Sequence, residues 1–190
     1  MSYTTLSQLK AYAGIVSSDD DALLTDLIAR AQEMIDAAAG RTFECAADGT
    51  RRLDAEAGVE GSILWLDRDL CQITRVVNGD GVEVLAGEYV TEPRGDTPYY
   101  ALRLLASSGK EWTYTTDAEN AIAITGRWAY SLTAPKRIEQ LCIEAATALY
   151  RLRDNPVAVR LVVDGGVVAN AADVASYISR RVAQFGLIRY

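Results

Sequence analysis

Asp19, Asp20 and Asp21 stand in a row and are the densest group of oxygen ligands in the chain, so a bound cation is the first chemistry to consider. A calcium loop alternates its ligands and needs a glycine and a distal glutamate at set positions. The run has neither feature and reads as a helix start, a cap followed by acids that complement the exposed N–H groups and the helix dipole. Cys45, Cys71 and Cys142 are odd in number and widely spaced. That suits neither a disulfide framework nor paired metal knuckles, so they read as reduced, mostly buried small hydrophobes. The chain has no histidine, which removes Ser-His-Asp and Cys-His nucleophiles, His-bound metals and imidazole acid–base work. No phosphate-cradling Gly-rich loop with Lys and Ser/Thr, no G-x-G-x-x-G, no G-x-S-x-G and no C-x-x-C occurs, and Gly165-Gly166 is turn chemistry. A glycosidase-like carboxylate pair stays open, because 26 acids offer many combinations and a sequence supplies no distances. Trp65, Trp112 and Trp128 fall on β-type runs, where large aromatics are core rather than a ligand cage. The expectation is a protein with no catalytic residue, no cofactor and no metal, whose work is interaction.

Charge directs attention to the C-terminal part. The net charge of −7 over 190 residues argues against general nucleic-acid binding, which needs clustered Lys and Arg. Residues 1–42 carry six acids and three bases, residues 43–133 fifteen and eight, and residues 134–190 five and eight. A basic end on an acidic chain predicts two surfaces with different partners, against the plainer reading of unevenly charged solvated faces. Within it, Arg180, Arg181 and Phe185 close a helix and Leu187, Ile188, Arg189 and Tyr190 follow as an apolar, basic tail. Such groups suit a partner with a greasy groove and an acidic rim, the alternative being that the tail packs back on its own helices.

The elements that position these groups are legible from periodicity. A 49% hydrophobic, 24% charged composition is that of a folding chain of one core, or of a small domain with an insertion. No stretch approaches the roughly 20 apolar residues of a membrane span, and Met1-Ser2-Tyr3-Thr4-Thr5 lacks the basic and apolar regions of a signal peptide, so synthesis in a cytoplasm and no membrane partner are expected. A short helix over residues 4–13 is capped by Thr4 or Thr5 and ended by Gly14. A second, over residues 20–39, carries Leu24, Leu27, Ile28, Ala31, Ile35 and Ala38 as its stripe and stops at Gly40. From Lys136 the residues Ile138, Leu141, Cys142, Ala145, Leu149 and Leu152 recur at helical steps, with Pro135 at the start, Arg151 and Arg153 in the last turn, and Asp154-Asn155-Pro156 as the stop. A last helix, about 171–184, shares Val174, Ile178, Val182 and Phe185 on one face. Residues 160–168 read as a small hairpin or an arm.

Between Phe43 and Tyr130 the helical period disappears. Residues 63–66, 73–77, 82–85, 89–90, 102–105, 112–114 and 121–124 are short β-forming runs, with Asn78-Gly79-Asp80-Gly81 as a hairpin signal. The fold class is α+β: a helical bundle of about four helices from residues 1–42 and 134–190, with an antiparallel β-rich insertion, a small sheet or barrel, at 43–133.

Several stretches together resemble the head–tail connector (adaptor) proteins of tailed bacteriophages. They are residues 3–12, YTTLSQLKAY; the acidic start before residues 22–28, ALLTDLI; the close at residues 39–43, AGRTF; and, in the second half, residues 125–131, TGRWAYS, with Pro135, Ile138 and the helix ending in residues 149–154, LYRLRD. The second half looks like the branch of that family with a β-rich insertion. The resemblance implies a structural virion protein at the head–tail junction. Its subunits would form a ring, a dodecamer, beneath the portal, extend the DNA channel and offer a surface to the tail or a stopper protein. An acidic channel wall would let the duplex slide without specific binding. In the family the C-terminal region docks on the portal, which maps here to Arg180, Arg181, Phe185, Leu187, Ile188, Arg189 and Tyr190. Another tail-completion or baseplate component and, more remotely, an enzyme with a carboxylate-only site remain as alternatives.

Overall fold

The computed structural model describes residues 2–154, 161–163, 166–168 and 171–185. In chain order the elements are α1 (Leu6–Ala13), α2 (Asp21–Ala39), β1 (Gly49–Leu53), β2 (Val59–Glu60), β3 (Ile63–Leu70), β4 (Gln72–Val77), β5 (Tyr89–Glu92), β6 (Tyr99–Leu104), β7 (Ile122–Arg127), α3 (Lys136–Asp154), β8 (Leu161–Val163), β9 (Gly166–Val168) and α4 (Ala171–Val182). The chain is α+β, and it divides into two compact units, Met1–Arg41 with Ala134–Tyr190, and Thr42–Thr133.

In the first unit α1 opens with a capping box. The Thr5 hydroxyl accepts from the Gln8 N–H, and the Gln8 side chain accepts from the Thr5 N–H, so two otherwise unpaired donors are satisfied. Gly14 closes the helix with its N–H on the Lys10 carbonyl. Helix α2 ends at Gly40, whose φ of +66° is a left-handed conformation that any side chain would strain. Its N-terminus departs from expectation. Asp20 occupies the cap position without capping; its carboxylate instead accepts from the Tyr150 hydroxyl (2.6 Å) and from Arg153 Nη1 (3.0 Å) on α3. These donors hold the Asp20 carboxyl below the usual range, the Tyr150 hydrogen bond acting most strongly.

Leu24, Leu27, Ile28, Ala31 and Ile35 are the buried stripe of α2, whereas Ala38 is exposed. Helix α3 touches α1, α2 and α4. Accordingly Leu141, Cys142, Ile143, Ala145, Ala146, Thr147 and Ala148 are all buried, which is most of the helix circumference rather than one face. From α4 come Val174, Tyr177, Ile178 and Val182. Strands β8 and β9 pair antiparallel, Leu161 opposite Val168.

Tyr3 is buried and donates its hydroxyl to Asp36, a partly buried carboxylate. Burial raises the Asp36 pKa, with the Tyr3 hydrogen bond opposing. Burial, with the Asp36 charge adding to it, pushes the Cys142 thiol up to about 12, so it stays an inert, protonated core group. A carboxyl whose pKa is raised on folding costs stability above its folded pKa, and the cost disappears below its unfolded value near 3.8. Asp36→Asn keeps an acceptor for Tyr3 and removes the charge. Its melting temperature is therefore expected to exceed that of the parent at pH 7, and the advantage should shrink steadily in thermal melts taken down to about pH 4.

The second unit is two antiparallel sheets, β1-β7-β4 and β2-β3-β6-β5. They share one core. Leu53, Val76, Ile122 and Ile124 from the first sheet and Leu64, Leu70, Leu102 and Leu104 from the second form a single buried cluster. Trp112 covers this cluster and donates its indole N–H to the Ser62 carbonyl at 2.9 Å. Trp65 and Trp128 are only partly buried. Trp65 stacks on Tyr100 with centroids 6.0 Å apart, and Trp128 lies under the Arg51 guanidinium at 5.5 Å.

Two expected strands are not strands. Residues 82–85 and 112–114 make only the isolated bridges Val77–Glu83 and Gly79–Tyr114. The buried Asn78 carboxamide holds the second of these segments in place of a ladder, donating to the Glu111 carbonyl (2.8 Å) and accepting from the N–H groups of Gly79 (3.0 Å) and Thr113 (3.1 Å). Conversely, β1 was not anticipated, because Gly49 and the pair Arg51-Arg52 dilute its β signal. It is an edge strand, where charged side chains are favoured.

Candidate partner-binding surface

Two of the three aspartates that opened the question of a metal are put to other uses, and Asp19 is left exposed. Asp20 ties the start of α2 to α3, and Asp21 accepts from Lys10 Nζ at 2.6 Å. Among the described residues no group of three or more His, Cys, Asp or Glu side chains is placed to hold a metal ion. None of the described helices is long and apolar enough to cross a membrane.

The predicted residues Arg180, Arg181 and Phe185 do come together, and with side chains that the sequence reading did not include. They line one wall of an open groove of about 490 Å³ whose other wall is the N-terminal half of α3. Ile138 and Leu141 lie buried at its base, Phe185 is its partly exposed apolar side chain, and Lys136, Arg137, Gln140 and Glu144 form the opposite rim. Leu187, Ile188, Arg189 and Tyr190 lie outside the described residues.

Hydrogen bonds from α3 reach both α4 and the turn at residues 183–185 that follows it. Arg137 Nη1 donates to Gln184 Oε1 at 2.7 Å, bridging the walls at one end. Further along, the Tyr177 hydroxyl donates to Glu144 Oε2 at 2.6 Å. Burial, and then this hydrogen bond, push Tyr177 up to about 12, so it remains a donor at any physiological pH. The Arg181 guanidinium stacks 5.3 Å from the Tyr177 ring, which fixes its direction. Glu144 also accepts from Gln140 Nε2 at 2.9 Å. Four cations therefore rim a groove with one partly exposed apolar side chain, and the one carboxylate among the lining side chains is already engaged. No nucleophile or acid–base pair is present; what the arrangement can do is bind an acidic segment with an apolar anchor.

A signal for the missing wall was available in the sequence. Lys136 and Arg137 sit in the first turn of α3, where the helix dipole disfavours cations. Glu139 offsets Lys136 at 2.6 Å within the same turn, whereas Arg137 reaches out of the helix to Gln184, so for Arg137 a use beyond the helix was indicated.

The chain thus combines a helical unit, interrupted in sequence by an antiparallel β unit, with an open groove between α3 and the end of α4. Residues 3–79 match the model of the family described as phage gp6-like head-tail connector protein. The resemblance drawn from the sequence is borne out over those residues. Solved structures agree in fold. A chain of the neck of an empty gene transfer agent (GTA) particle, computed with C6 symmetry, superposes with a TM-score of 0.58 at 14% identity, covering 97% of this chain and 90% of that one. A chain of the virion of a native GTA particle gives 0.54 at 14% identity, with the same coverage. A chain of the neck of a native GTA particle, computed with C12 symmetry, gives 0.54 at 12% identity, covering 97% and 89%. At such identities the likeness is one of fold. No curated protein matches the chain.

Proposed function

We propose that the protein is a structural head–tail connector of a virion. The connector-family match over residues 3–79 carries this reading, and the neck fold, spanning nearly the whole chain, supports it. Because related folds come from necks computed with C6 and C12 symmetry, the subunits are taken to form a ring, a dodecamer in the virion, beneath the portal. The ring extends the DNA channel and offers its far side to a tail or stopper protein. Residues 1–42 and 134–190 are the connector core and residues 43–133 an inserted β-rich domain. The acidic excess of the chain suits a channel through which DNA passes without being held. Residues 187–190 are assigned to the portal side.

The test is an assembly experiment with purified full-length chain added to DNA-filled, portal-bearing heads that lack it. Electron microscopy should show a ring at the portal vertex, and tails should then attach. A chain lacking residues 187–190 should fold with an unchanged melting temperature yet fail to sediment with the heads. Heads that take up tails equally well without the protein would overturn the function, and full attachment of the truncated chain would overturn the portal-side assignment.

A further inference from the structure

Two features of the helical unit are complementary in chemistry and placed where one subunit cannot bring them together. The first is the groove between α3 and α4, with the partly exposed Phe185 and its rim of Lys136, Arg137, Arg180 and Arg181. The second is the loop joining α1 and α2. Val16 in that loop is 95% exposed, the extreme among the large apolar side chains described, and Tyr12 beside it is 52% exposed. Of the three acids that follow, Asp20 and Asp21 are turned inward onto α3 and Lys10. Asp19 is exposed and has no ion-pair partner among the described residues. The loop thus presents an aliphatic knob and a carboxylate three residues apart, and the groove presents an aromatic side chain among guanidinium and ammonium groups.

Position decides which copy the loop reaches. The Asp20 contacts with Tyr150 and Arg153 pin it at the C-terminal end of α3, whereas the groove lies along residues 136–144. From Leu141 to Arg153 the helix advances about 18 Å at ~1.5 Å per residue. A loop held at one end of that rod does not reach a groove at the other. It can enter the groove of a second copy, a head-to-tail contact in which each subunit gives one surface and receives another; such contacts close into rings when the rotation between copies allows.

We propose that the α3–α4 groove is the socket of the subunit–subunit interface. It is filled by the α1–α2 loop of the neighbouring copy, with Val16 against Phe185 above the buried Ile138 and Leu141, and Asp19 against Arg180 and Arg181. This rests on the ring reading above and adds the contact that builds the ring.

The test uses the full chain in a sedimentation series over concentration, and rings formed on portal-bearing heads. Val16→Glu should weaken self-association at least tenfold with an unchanged far-UV spectrum, since a side chain so exposed contributes nothing to the fold of its own subunit. Arg180→Glu with Arg181→Glu should weaken it comparably, and adding Asp19→Arg to that pair should recover association by reversing both charges. Rings that form with parental affinity in both Val16→Glu and the double arginine variant would overturn this interface while leaving the connector ring standing. A parental chain that forms no ring, free or on heads, would overturn both.

Discussion

Leu27→Asp is expected to leave the helical unit unfolded at room temperature. Leu27 is 5% exposed on α2, and that helix packs on both α3 and α4. A carboxylate there has no partner within the stripe formed by Leu24, Ile28, Ala31 and Ile35. Burying it unpaired costs several kcal/mol at least, and the lost leucine packing adds about 2–5 kcal/mol. Typical domains have only about 5–15 kcal/mol of stability in total. Leu27→Met, which keeps volume and polarity, should cost under about 1.5 kcal/mol and serves as the control. Far-UV circular dichroism and denaturant titration read both. A Leu27→Asp chain that retains its helical signal and its midpoint would mean that α2 does not bury this face.

Gly126→Val is expected to break the three-stranded sheet of the other unit. Gly126 lies in β7, the central strand, opposite Gly49 of β1 and Ile73 of β4. A Cβ built there would stand 2.1 Å from the Gln72 carbonyl oxygen and 3.2 Å from Ile73 Cα. Both are backbone atoms of β4, where the register shifts between Ile73 and Arg75, so no side-chain rotation relieves the clash. The strands must separate, and with Ile122 and Ile124 on the same strand the shared core opens with them. The expected loss is at least about 3 kcal/mol, near the upper end for overpacked sites, and Gly126→Ala should already show most of it. At Gly87 an added Cβ meets nothing within 4 Å, and Gly87→Ala should change stability by no more than about 0.5 kcal/mol. Equal melting midpoints for Gly126→Val and Gly87→Ala would refute the close approach.

The helices were legible because each carries its own punctuation. Thr5 with Gln8, Gly14 and Gly40 act within one turn of where they stand, and a stripe at helical spacing reports burial whatever lies opposite. The turn at residues 78–81 and most β runs were legible for the same reason. The run Ser17–Asp21 was expected to supply a side-chain cap for α2, but capping by Asp20 is a local option that lost to Tyr150 and Arg153, partners 130 or more residues away. Residues 112–114 have strand composition, and only the buried Asn78 carboxamide shows why they run without a ladder.

The sequence by itself determined the α+β class, the absence of histidine chemistry, the acidic chain with its basic end, and the connector resemblance. These depend on composition, on local periodicity, and on the order of short motifs. Only the tertiary structure decided that α3 is buried around most of its circumference, since alanines and a threonine on a helix say nothing of what surrounds them. It also decided that Arg180, Arg181 and Phe185 form one wall of a groove whose other wall is Lys136, Arg137 and Glu144. Those two sets lie more than thirty residues apart in the chain. What makes them one surface is the packing of α3 on α4 and the turn that follows it, with the Arg137–Gln184 and Tyr177–Glu144 hydrogen bonds between them, and pairings at that range leave no periodic trace in either helix.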